Sequence, residues 1–161
     1  MSVLAHIGLG SNLGDPVRQI ERALIELAHL PATTLVAASS RYASAPVGCS
    51  IPQLEYVNAV VALRTALSPR RLLHAMQRIE RRHRRRRGAR NAPRTLDLDL
   101  LLYGRLRFRR RGLTVPHPRL HRRAFVLRPL LELAPATRIA GRGSARRFLS
   151  AVRGQAVRRV G

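Results

Sequence analysis

The sequence has no lysine and only 8 acidic residues among its 161 positions. All 31 of the residues counted as lysine or arginine are therefore arginine, and the formal net charge is +23. Without lysine the chain cannot contain a Walker A loop, a Schiff-base lysine or the strand lysine of a protein kinase. Any phosphate chemistry must therefore use arginine, histidine, backbone amides and metal ions.

Cysteine is also scarce, and Cys49 is the only one. A single cysteine can form no internal disulfide, and it excludes a cage of thiolate metal ligands. No apolar run approaches the roughly 20 residues of a membrane span. The first residues, MSVLAHIGLGSNLGD, also lack the basic segment of a secretion signal. We therefore expect a cytoplasmic protein without a membrane partner.

The positive charge raises one functional alternative. A strongly basic surface binds nucleic acid nonspecifically, because bound phosphates release their counterions. A basic RNA- or DNA-binding module is therefore one hypothesis, although an all-arginine composition also fits a coding bias. With 45% hydrophobic residues the chain should fold rather than remain disordered. Its length suits a single domain over residues 1–161.

The hydrophobic pattern predicts an α+β domain. Helices should begin at Pro16 and at Pro69, the second one capped by Ser68. The order β-α-β-β-α-β indicates a ferredoxin-like split βαβ sandwich, with a mostly antiparallel sheet and helices packed on one face. GSNLGD is predicted to be the turn after the first strand. The predicted strands are VLAHIGL, TLVAASSRYASA, YVNAVVALRTAL and TLDLDLLLY. They are followed by the short ribbon RLRFRRRGLTVPHP and by FVLRPLLELAP, a short apolar helix or helical turn.

Two acidic residues, Asp97 and Asp99, lie one residue apart in the strand TLDLDLLLY. Side chains alternate across a sheet, so both carboxylates should share one face with their Cα atoms about 7 Å apart. Such a pair suits Mg²⁺, which is bound by a few carboxylates together with substrate phosphates and water. The alternative is a strand with a polar, solvent-facing side whose aspartates pair with arginine.

The residues around this pair are more specific than the pair itself. RNAPRTLDLDLL, residues 90–101, leads from a basic residue and small residues to an arginine, after which two aspartates alternate with aliphatic residues. This pattern resembles the signature of the 6-hydroxymethyl-7,8-dihydropterin pyrophosphokinases of folate biosynthesis. Other segments resemble the same family in the same order, namely GLGSNLGD (8–15), APVGCSIPQLEYVNAVVAL (45–63), QRIE (77–80) and LTVPHPRLHRRAFVLRPLLELAP (113–135).

The resemblance implies transfer of the β,γ-diphosphate of ATP to the hydroxymethyl oxygen of a reduced pterin, with release of AMP. It implies that Asp97 and Asp99 hold two Mg²⁺ ions and that ATP is the co-substrate. Arg85 and Arg94 are implied as catalytic residues together with the two aspartates. The implied ATP contacts are Gln77, Glu80, Arg85, Arg87, Arg94, Leu100, Thr114, His117 and Arg123.

The resemblance also implies a pterin site. A flat pterin suits an aromatic sandwich and a polar group at its amide edge. Tyr56 and Phe125 match the family's stacking pair, Asn58 matches its hydrogen-bonding residue, and the neighbouring loop contributes Ser44, Pro46 and Val47. The implied partners are ATP and 6-hydroxymethyl-7,8-dihydropterin, and we expect a monomer.

Two alternatives to this enzyme remain open at the level of the sequence. The basic nucleic-acid-binding module would need exposed stacking aromatics on its sheet, and that pattern is missing. A catalytically inactive relative with a structural role would not need Arg94, Asp97 and Asp99, all of which are present.

Overall fold

The computed structural model describes residues 1–45, 55–83 and 95–160 of the chain. Its strands are β1 (Val3–Ser11), β2 (Thr33–Ala38), β3 (Arg41–Ser44), β4 (Tyr56–Thr65), β5 (Asp97–Tyr103), β6 (Phe108–Arg110), β7 (Leu113–Val115), β8 (Arg138–Ile139), β9 (Gly143–Ser144) and β10 (Val157–Val160). Its helices are α1 (Pro16–Ala28), α2 (Pro69–Arg82), α3 (Ala124–Leu133) and α4 (Leu149–Val152). Short 3₁₀ turns precede α3 and α4.

The main sheet has six strands in the order β10-β3-β4-β1-β5, and β2 pairs with β4 beside this path. All of its strand pairs are antiparallel. β1 therefore lies between β4 and β5, with both as hydrogen-bonded neighbours. This arrangement confirms the predicted mixed architecture of helices on a mostly antiparallel sheet.

The two long helices begin where the sequence predicts. Asp15 caps α1, its side chain accepting a hydrogen bond from the Arg18 backbone N–H at 3.3 Å. Ser68 caps α2 in the same way, with 3.2 Å between its Oγ and the backbone N of Arg71. In both helices proline follows the cap, where its fixed φ and missing N–H cost nothing.

The helices cover both faces of the sheet, so the prediction that they cover one face was wrong. α1 and α2 pack on one face, and we call this the packed face; its core includes Leu27, Leu63, Met76 and Ile79. α3 packs on part of the opposite face through a second core that includes Val60, Leu101, Leu127 and Leu130. We call that opposite face the open face. Alternation along β4 explains the two cores, because consecutive residues of a strand point to opposite sides.

The predicted strand TLVAASSRYASA is divided into β2 and β3. The division falls at Ser39 and Ser40, where the Ser39 N–H still donates to the Val60 carbonyl oxygen at 2.8 Å but side chains make the next hydrogen bonds. The Ser39 Oγ accepts from the backbone N–H of Val60 at 2.9 Å, and the Glu132 carboxylate accepts from the backbone N–H of Ser40 at 2.7 Å. Serine hydroxyls and carboxylates compete in this way with ladder hydrogen bonds.

The predicted turn GSNLGD begins later than expected. Gly10 and Ser11 belong to β1, and the helix cap follows at Asp15. Gly14 is the turn residue that needs glycine, because its φ is +72°. The hydrophobic pattern did not indicate β10, which extends the sheet beside β3. Within the described residues, no helix has the length and apolar character required to cross a membrane.

Candidate active site

The two aspartates lie on the open face of β5. Leu98 and Leu100 alternate with them and are buried in the packed-face core, whereas Asp97 and Asp99 are partly exposed. The period of two in the sequence therefore has the predicted consequence, since both carboxylates project from the same side of one strand. Their placement suits a hard cation that also contacts a phosphate.

Glu80, a residue of α2, makes a hydrogen bond to the backbone of β5. Its side chain is 5% exposed, and its Oε2 accepts a hydrogen bond from the backbone N–H of Leu98 at 2.9 Å. Leu98 separates the two aspartates, so a carboxylate from α2 holds the peptide between them. β5 is an edge strand, and an outward N–H at an edge needs such a partner. Gln77, predicted to act with Glu80, is exposed on the same helix.

His117 lies near Asp99, with 3.9 Å between His117 Nε2 and Asp99 Oδ1. Its Nδ1 accepts a hydrogen bond from the backbone N–H of Arg119 at 3.1 Å, which leaves the ring proton on Nε2. Burial, with help from Arg123 and Arg119, lowers the pKa of His117 to about 4, and Asp97 opposes this shift. At neutral pH the His117 ring is therefore uncharged, and the nitrogen that carries its proton is the one near Asp99.

Arg123 lies between the predicted phosphate and pterin residues. Its charge acts on His117, and its guanidinium carbon lies 5.4 Å from the centroid of the Phe125 ring. Arg123 precedes α3, and Phe125 lies in the first turn of that helix, where it is partly buried against the open-face core. The start of α3 thus brings a cation and an aromatic ring to the same edge of the site.

Asn58 is a buried side chain with a defined orientation. It is 5% exposed, and its Nδ2 donates to the Ser44 Oγ at 2.8 Å and to the Tyr42 carbonyl oxygen at 3.3 Å. A carbonyl can only accept, so the amide nitrogen must lie on that side. The Asn58 Oδ1 therefore points the other way, towards β1.

The remaining predicted residues divide into three groups. Ser44 is buried beside Asn58, and Tyr56 is partly buried at the start of β4, where it pairs with Ser44. On the nucleotide side, Leu100 directs its side chain into the packed-face core and Thr114 is partly exposed in β7. Pro46, Val47, Arg85, Arg87 and Arg94 lie outside the described residues.

The topology brings the two predicted sets of residues together across β1. Gly10 of β1 pairs with Asn58 of β4 on one side and with Asp97 of β5 on the other. Gly8 similarly pairs with Val60 and Asp99. Cross-strand partners place their side chains on the same face. Asn58 and the aspartates therefore flank one short stretch of β1.

Sequence reasoning missed a connection to the C-terminal strand. Arg158 in β10 forms a two-pronged ion pair with Glu55, with N–O distances of 2.7 and 2.9 Å. Glu55 directly precedes Tyr56, so β10 supports the start of β4. This contact joins residues 103 positions apart, and no local pattern could have indicated it.

No group of three or more histidine, cysteine, aspartate or glutamate side chains in the described ranges is arranged to hold a metal ion. A pair of carboxylates is nevertheless enough for Mg²⁺ when phosphate oxygens and water complete its coordination. Asp97 and Asp99 thus fit a cation that arrives with a phosphate ligand better than a cation held by protein groups alone.

The chain is similar to known proteins along most of its length. A family model described as 7,8-dihydro-6-hydroxymethylpterin-pyrophosphokinase (HPPK) matches residues 6–135. Two similar proteins are named 2-amino-4-hydroxy-6-hydroxymethyldihydropteridine pyrophosphokinase. The one from Haemophilus influenzae is 48% identical over 132 residues, which cover 82% of each chain. The one from Bacillus subtilis is 41% identical over 133 residues, covering 83% of this chain and 79% of the relative.

Solved structures share the fold at low sequence identity. The wild-type HPPK-DHPS of Plasmodium falciparum with pterin and p-hydroxybenzoate has a TM-score of 0.73 at 13% identity, covering 99% of this chain and 45% of that one. An HPPK-DHPS in complex with substrates has a TM-score of 0.70 at 13% identity, with 94% and 43% covered. The present chain thus spans less than half the length of those chains, and the likeness concerns the fold.

Proposed function

Because this chain belongs to the 7,8-dihydro-6-hydroxymethylpterin-pyrophosphokinase family, we propose that it makes the pterin diphosphate of folate biosynthesis from ATP. The hydroxymethyl oxygen of 6-hydroxymethyl-7,8-dihydropterin forms a bond to the β-phosphorus of ATP. The bond from that phosphorus to the oxygen bridging the α-phosphorus breaks, and this oxygen leaves with AMP. The hydroxyl proton is released to solvent.

One observation carries this proposal beyond the family match. Asn58 and Asp97 are cross-strand neighbours of the same residue, Gly10, on one face of the sheet. A group suited to a pterin amide edge therefore lies beside a group suited to a metal-bound phosphate. Transfer between two bound substrates depends on this kind of proximity, since holding the reactants together removes much of the entropic barrier.

Asp97 and Asp99 are the proposed ligands of two Mg²⁺ ions. Their donor set fits, because both are hard oxygen ligands on one partly exposed strand face. When bound, Mg²⁺ would neutralise charge on the phosphates. The chain's own part is to hold both carboxylates at strand spacing, and the hydrogen bond from Leu98 N–H to Glu80 fixes the intervening peptide.

The proposed phosphate contacts on the other side of the site are His117 and Arg123. His117 acts as a neutral donor because its Nδ1 is occupied by the Arg119 backbone N–H. Arg123 supplies a permanent positive charge. Arg85, Arg87 and Arg94 complete the phosphate site, and Arg85 and Arg94 act with the aspartates in catalysis; for these three the support is the match of their sequence motif.

Pterin binding is proposed for Tyr56, Phe125 and Asn58, with Ser44, Pro46 and Val47 at the neighbouring loop. Tyr56 and Phe125 are both partly buried, as suits rings that cover a flat ligand. Asn58 directs Oδ1 to the ligand because its Nδ2 is bonded to Tyr42 and Ser44. On the nucleotide side, Gln77, Glu80, Leu100 and Thr114 are the proposed ATP contacts, Leu100 and Thr114 chiefly through their backbones. Glu80 also positions β5 through its hydrogen bond from the Leu98 N–H.

The finer classification of the fold is also a proposal. The strand order β5-β1-β4-β2 with helices after β1 and β4 supports a ferredoxin-like split βαβ sandwich. We further propose one domain over residues 1–161 that acts as a cytoplasmic monomer, with nonspecific nucleic-acid binding as a side effect of its charge. A dedicated nucleic-acid module has no support among the similar proteins, which are named as pyrophosphokinases.

The test is to measure AMP release from ATP with and without 6-hydroxymethyl-7,8-dihydropterin, and to identify the second product by mass spectrometry. We expect AMP and the pterin diphosphate in equal amounts, and only when Mg²⁺ and both substrates are present. Release of ADP, or AMP formation that does not depend on the pterin, would contradict the proposal.

A further inference from the structure

Gly10 interrupts a layer of side chains at the centre of the candidate site. Its two cross-strand partners are Asn58 and Asp97, whose side chains stand on either side of it. Adjacent strands lie about 4.8 Å apart, so the Cα atoms of Asn58 and Asp97 are about 10 Å from one another across Gly10. A side chain at position 10 would stand directly between them.

The backbone does not require glycine at this position. The glycines with positive φ in the described residues are Gly14, Gly104, Gly112, Gly141 and Gly143. Gly10 lies instead in extended β1, where alanine is sterically allowed and glycine weakens the strand. A glycine inside a strand often marks a place where a ligand or another backbone comes close.

Among the described residues, a single polar atom lies above Gly10, whereas a core side chain lies above Gly8. A Cβ built at Gly10 meets one described atom within 4 Å, the Oδ1 of Asn58 at 3.4 Å. A Cβ built at Gly8 meets three side-chain atoms of Leu101 at 3.5 to 3.6 Å. Both glycines lie on the same face of the same strand. Leu101 of the open-face core thus lies against Gly8, and among the described residues the corresponding space at Gly10 is open apart from Asn58, although both glycines are partly exposed.

A hydrogen-bond acceptor points into this open space. The Nδ2 of Asn58 is bonded to Tyr42 and Ser44, so its Oδ1 faces the strand that carries Gly10. The Asn58 side chain is buried, and its oxygen borders the same gap that a Cβ at position 10 would occupy. The gap is therefore bordered on one side by an acceptor for a ligand N–H, and on the other side by β5, which carries Asp97 and Asp99.

We propose that Gly10 is a specificity-determining residue whose missing side chain admits the hydroxymethyl arm of the pterin. This inference rests on the proposed function. The reacting oxygen must lie between the group that recognises the pterin and the groups that hold the phosphates, and Gly10 is the residue of β1 between them. Even a methyl group there would displace the arm from the β-phosphorus, and a displacement of about 1 Å between reacting groups strongly lowers the rate of transfer.

The experiment compares Gly10→Ala with the matched control Gly8→Ala. Each variant adds one methyl group to the same face of β1, but only the first adds it to the open space. Steady-state rates are measured with each substrate varied in turn. Pterin binding is measured by calorimetry in the presence of Mg²⁺ and a non-hydrolysable ATP analogue, and folding is measured by thermal unfolding.

Gly10→Ala should lower kcat/KM for the hydroxymethylpterin at least about 10-fold, as an added methylene does in a fitted pocket. Its KM for ATP should stay within about 3-fold, and its Tm within a few degrees, because the methyl group meets no packed core. Gly8→Ala should stay within about 3-fold of the unmodified protein in both substrates.

The possible results separate this inference from the function. If the wild-type protein turns over the pterin and Gly10→Ala has the same kcat/KM for it, the role of Gly10 is overturned and the proposed function stands. Equal losses in both glycine variants, or equal losses for ATP and pterin, would indicate a general defect of β1 and also overturn it. If the wild-type protein shows no pterin-dependent AMP release, the proposed function fails and the role of Gly10 fails with it.

Discussion

The two faces of the sheet use the same strands for different purposes. On the packed face, β1, β4 and β5 present aliphatic side chains that are buried in the core with α1 and α2, including Ile7, Leu63 and Leu100. On the open face, the same strands present glycine, amide and carboxylate groups, and α3 covers only part of them. Alternation along each strand makes this separation possible, since neighbouring residues serve opposite faces.

The two faces therefore divide stability from the proposed chemistry. Burial of apolar side chains is the dominant favourable contribution to folding, and the packed face supplies it around a continuous core. The open face gives up part of that contribution at Gly10, Asn58, Asp97 and Asp99. Substitutions on the packed face should therefore change the free energy of unfolding, whereas substitutions on the open face should change turnover.

The largest effect should come from the packed face. Leu63 is 0% exposed in β4, and Leu63→Ala should lower the free energy of unfolding by about 2–5 kcal/mol because it leaves a cavity. Urea denaturation measures this change, and the folded fraction should keep its kcat/KM within about 3-fold. Ile25→Ala is the matched control, because Ile25 is 61% exposed and its substitution should change the free energy of unfolding by less than about 0.5 kcal/mol. A large loss of turnover in folded Leu63→Ala would break the separation between the faces.

The opposite result is expected on the open face. Asp97→Asn or Asp99→Asn should lower kcat at least about 100-fold, equivalent to about 2.7 kcal/mol of transition-state stabilisation, with little change in Tm. Asp15→Asn is the control, because it removes the same charge from a helix cap where asparagine serves equally well. The measurement is kcat as a function of Mg²⁺ concentration. Near-normal activity of either variant at limiting Mg²⁺ would contradict the assignment of the metal ligands.

Local patterns allowed parts of this molecule to be predicted from its sequence. The period of two in LDLDL predicts which side each residue of β5 faces, and Ser68 with Pro69 predicts the start of α2, because both depend on neighbours within a few residues. The motif match also predicts Asn58 and Asp97 as site residues. Their common neighbour Gly10 could not be deduced in this way, since strand order and register join distant segments.

The partners of buried polar groups were equally hidden in the sequence. The family resemblance indicates Glu80 only as an ATP contact, whereas in the structure Glu80 is buried and accepts a hydrogen bond from the backbone N–H of Leu98. The division of β2 from β3 depends on Glu132, which is 92 residues from Ser40. Such contacts follow from the tertiary arrangement of α2, α3 and the sheet, and no hydrophobic period encodes them.

A moderate effect is expected at Asn58. Asn58→Ala should weaken pterin binding by about 1–3 kcal/mol, because the ligand loses an acceptor and its polar groups remain unpaired. ATP affinity should hardly change, since the aspartates lie on another strand. Ser44→Ala should have a smaller effect, because it removes only one of the two acceptors that orient the Asn58 Nδ2. Calorimetry with each ligand separately measures both, and equal weakening of ATP and pterin binding would show that Asn58 acts through packing.

The packed side of the sheet also contains a polar contact between its two helices. His83 caps α2 and is 4% exposed, with its Nδ1 2.6 Å from the Gln19 Oε1 and its Nε2 hydrogen-bonded to Glu26. Arg82 donates to the other carboxylate oxygen of Glu26 at 3.0 Å. Gln19 and Glu26 belong to α1, so these side chains join the end of α2 to the first helix.

The smallest effect should come from this contact and should depend on pH. Burial raises the pKa of Glu26, but hydrogen bonds from His83 and Arg82 outweigh it, so the pKa lies below its ordinary value of 4.5. A lowered carboxyl pKa stabilises the folded state above the unfolded pKa, and this contribution is lost as the pH falls through the folded value. Glu26→Gln should therefore cost about 1 kcal/mol near neutral pH, and the difference from wild type should shrink below about pH 4.5.

Glu21→Gln is the control on the same helix, because the exposed pair of Glu21 with Arg41 should contribute less than about 0.5 kcal/mol. Urea denaturation from pH 3.5 to 7 measures the free energy of unfolding of both variants. If the destabilisation by Glu26→Gln increased as the pH fell, that result would contradict the ionised carboxylate that this contact requires.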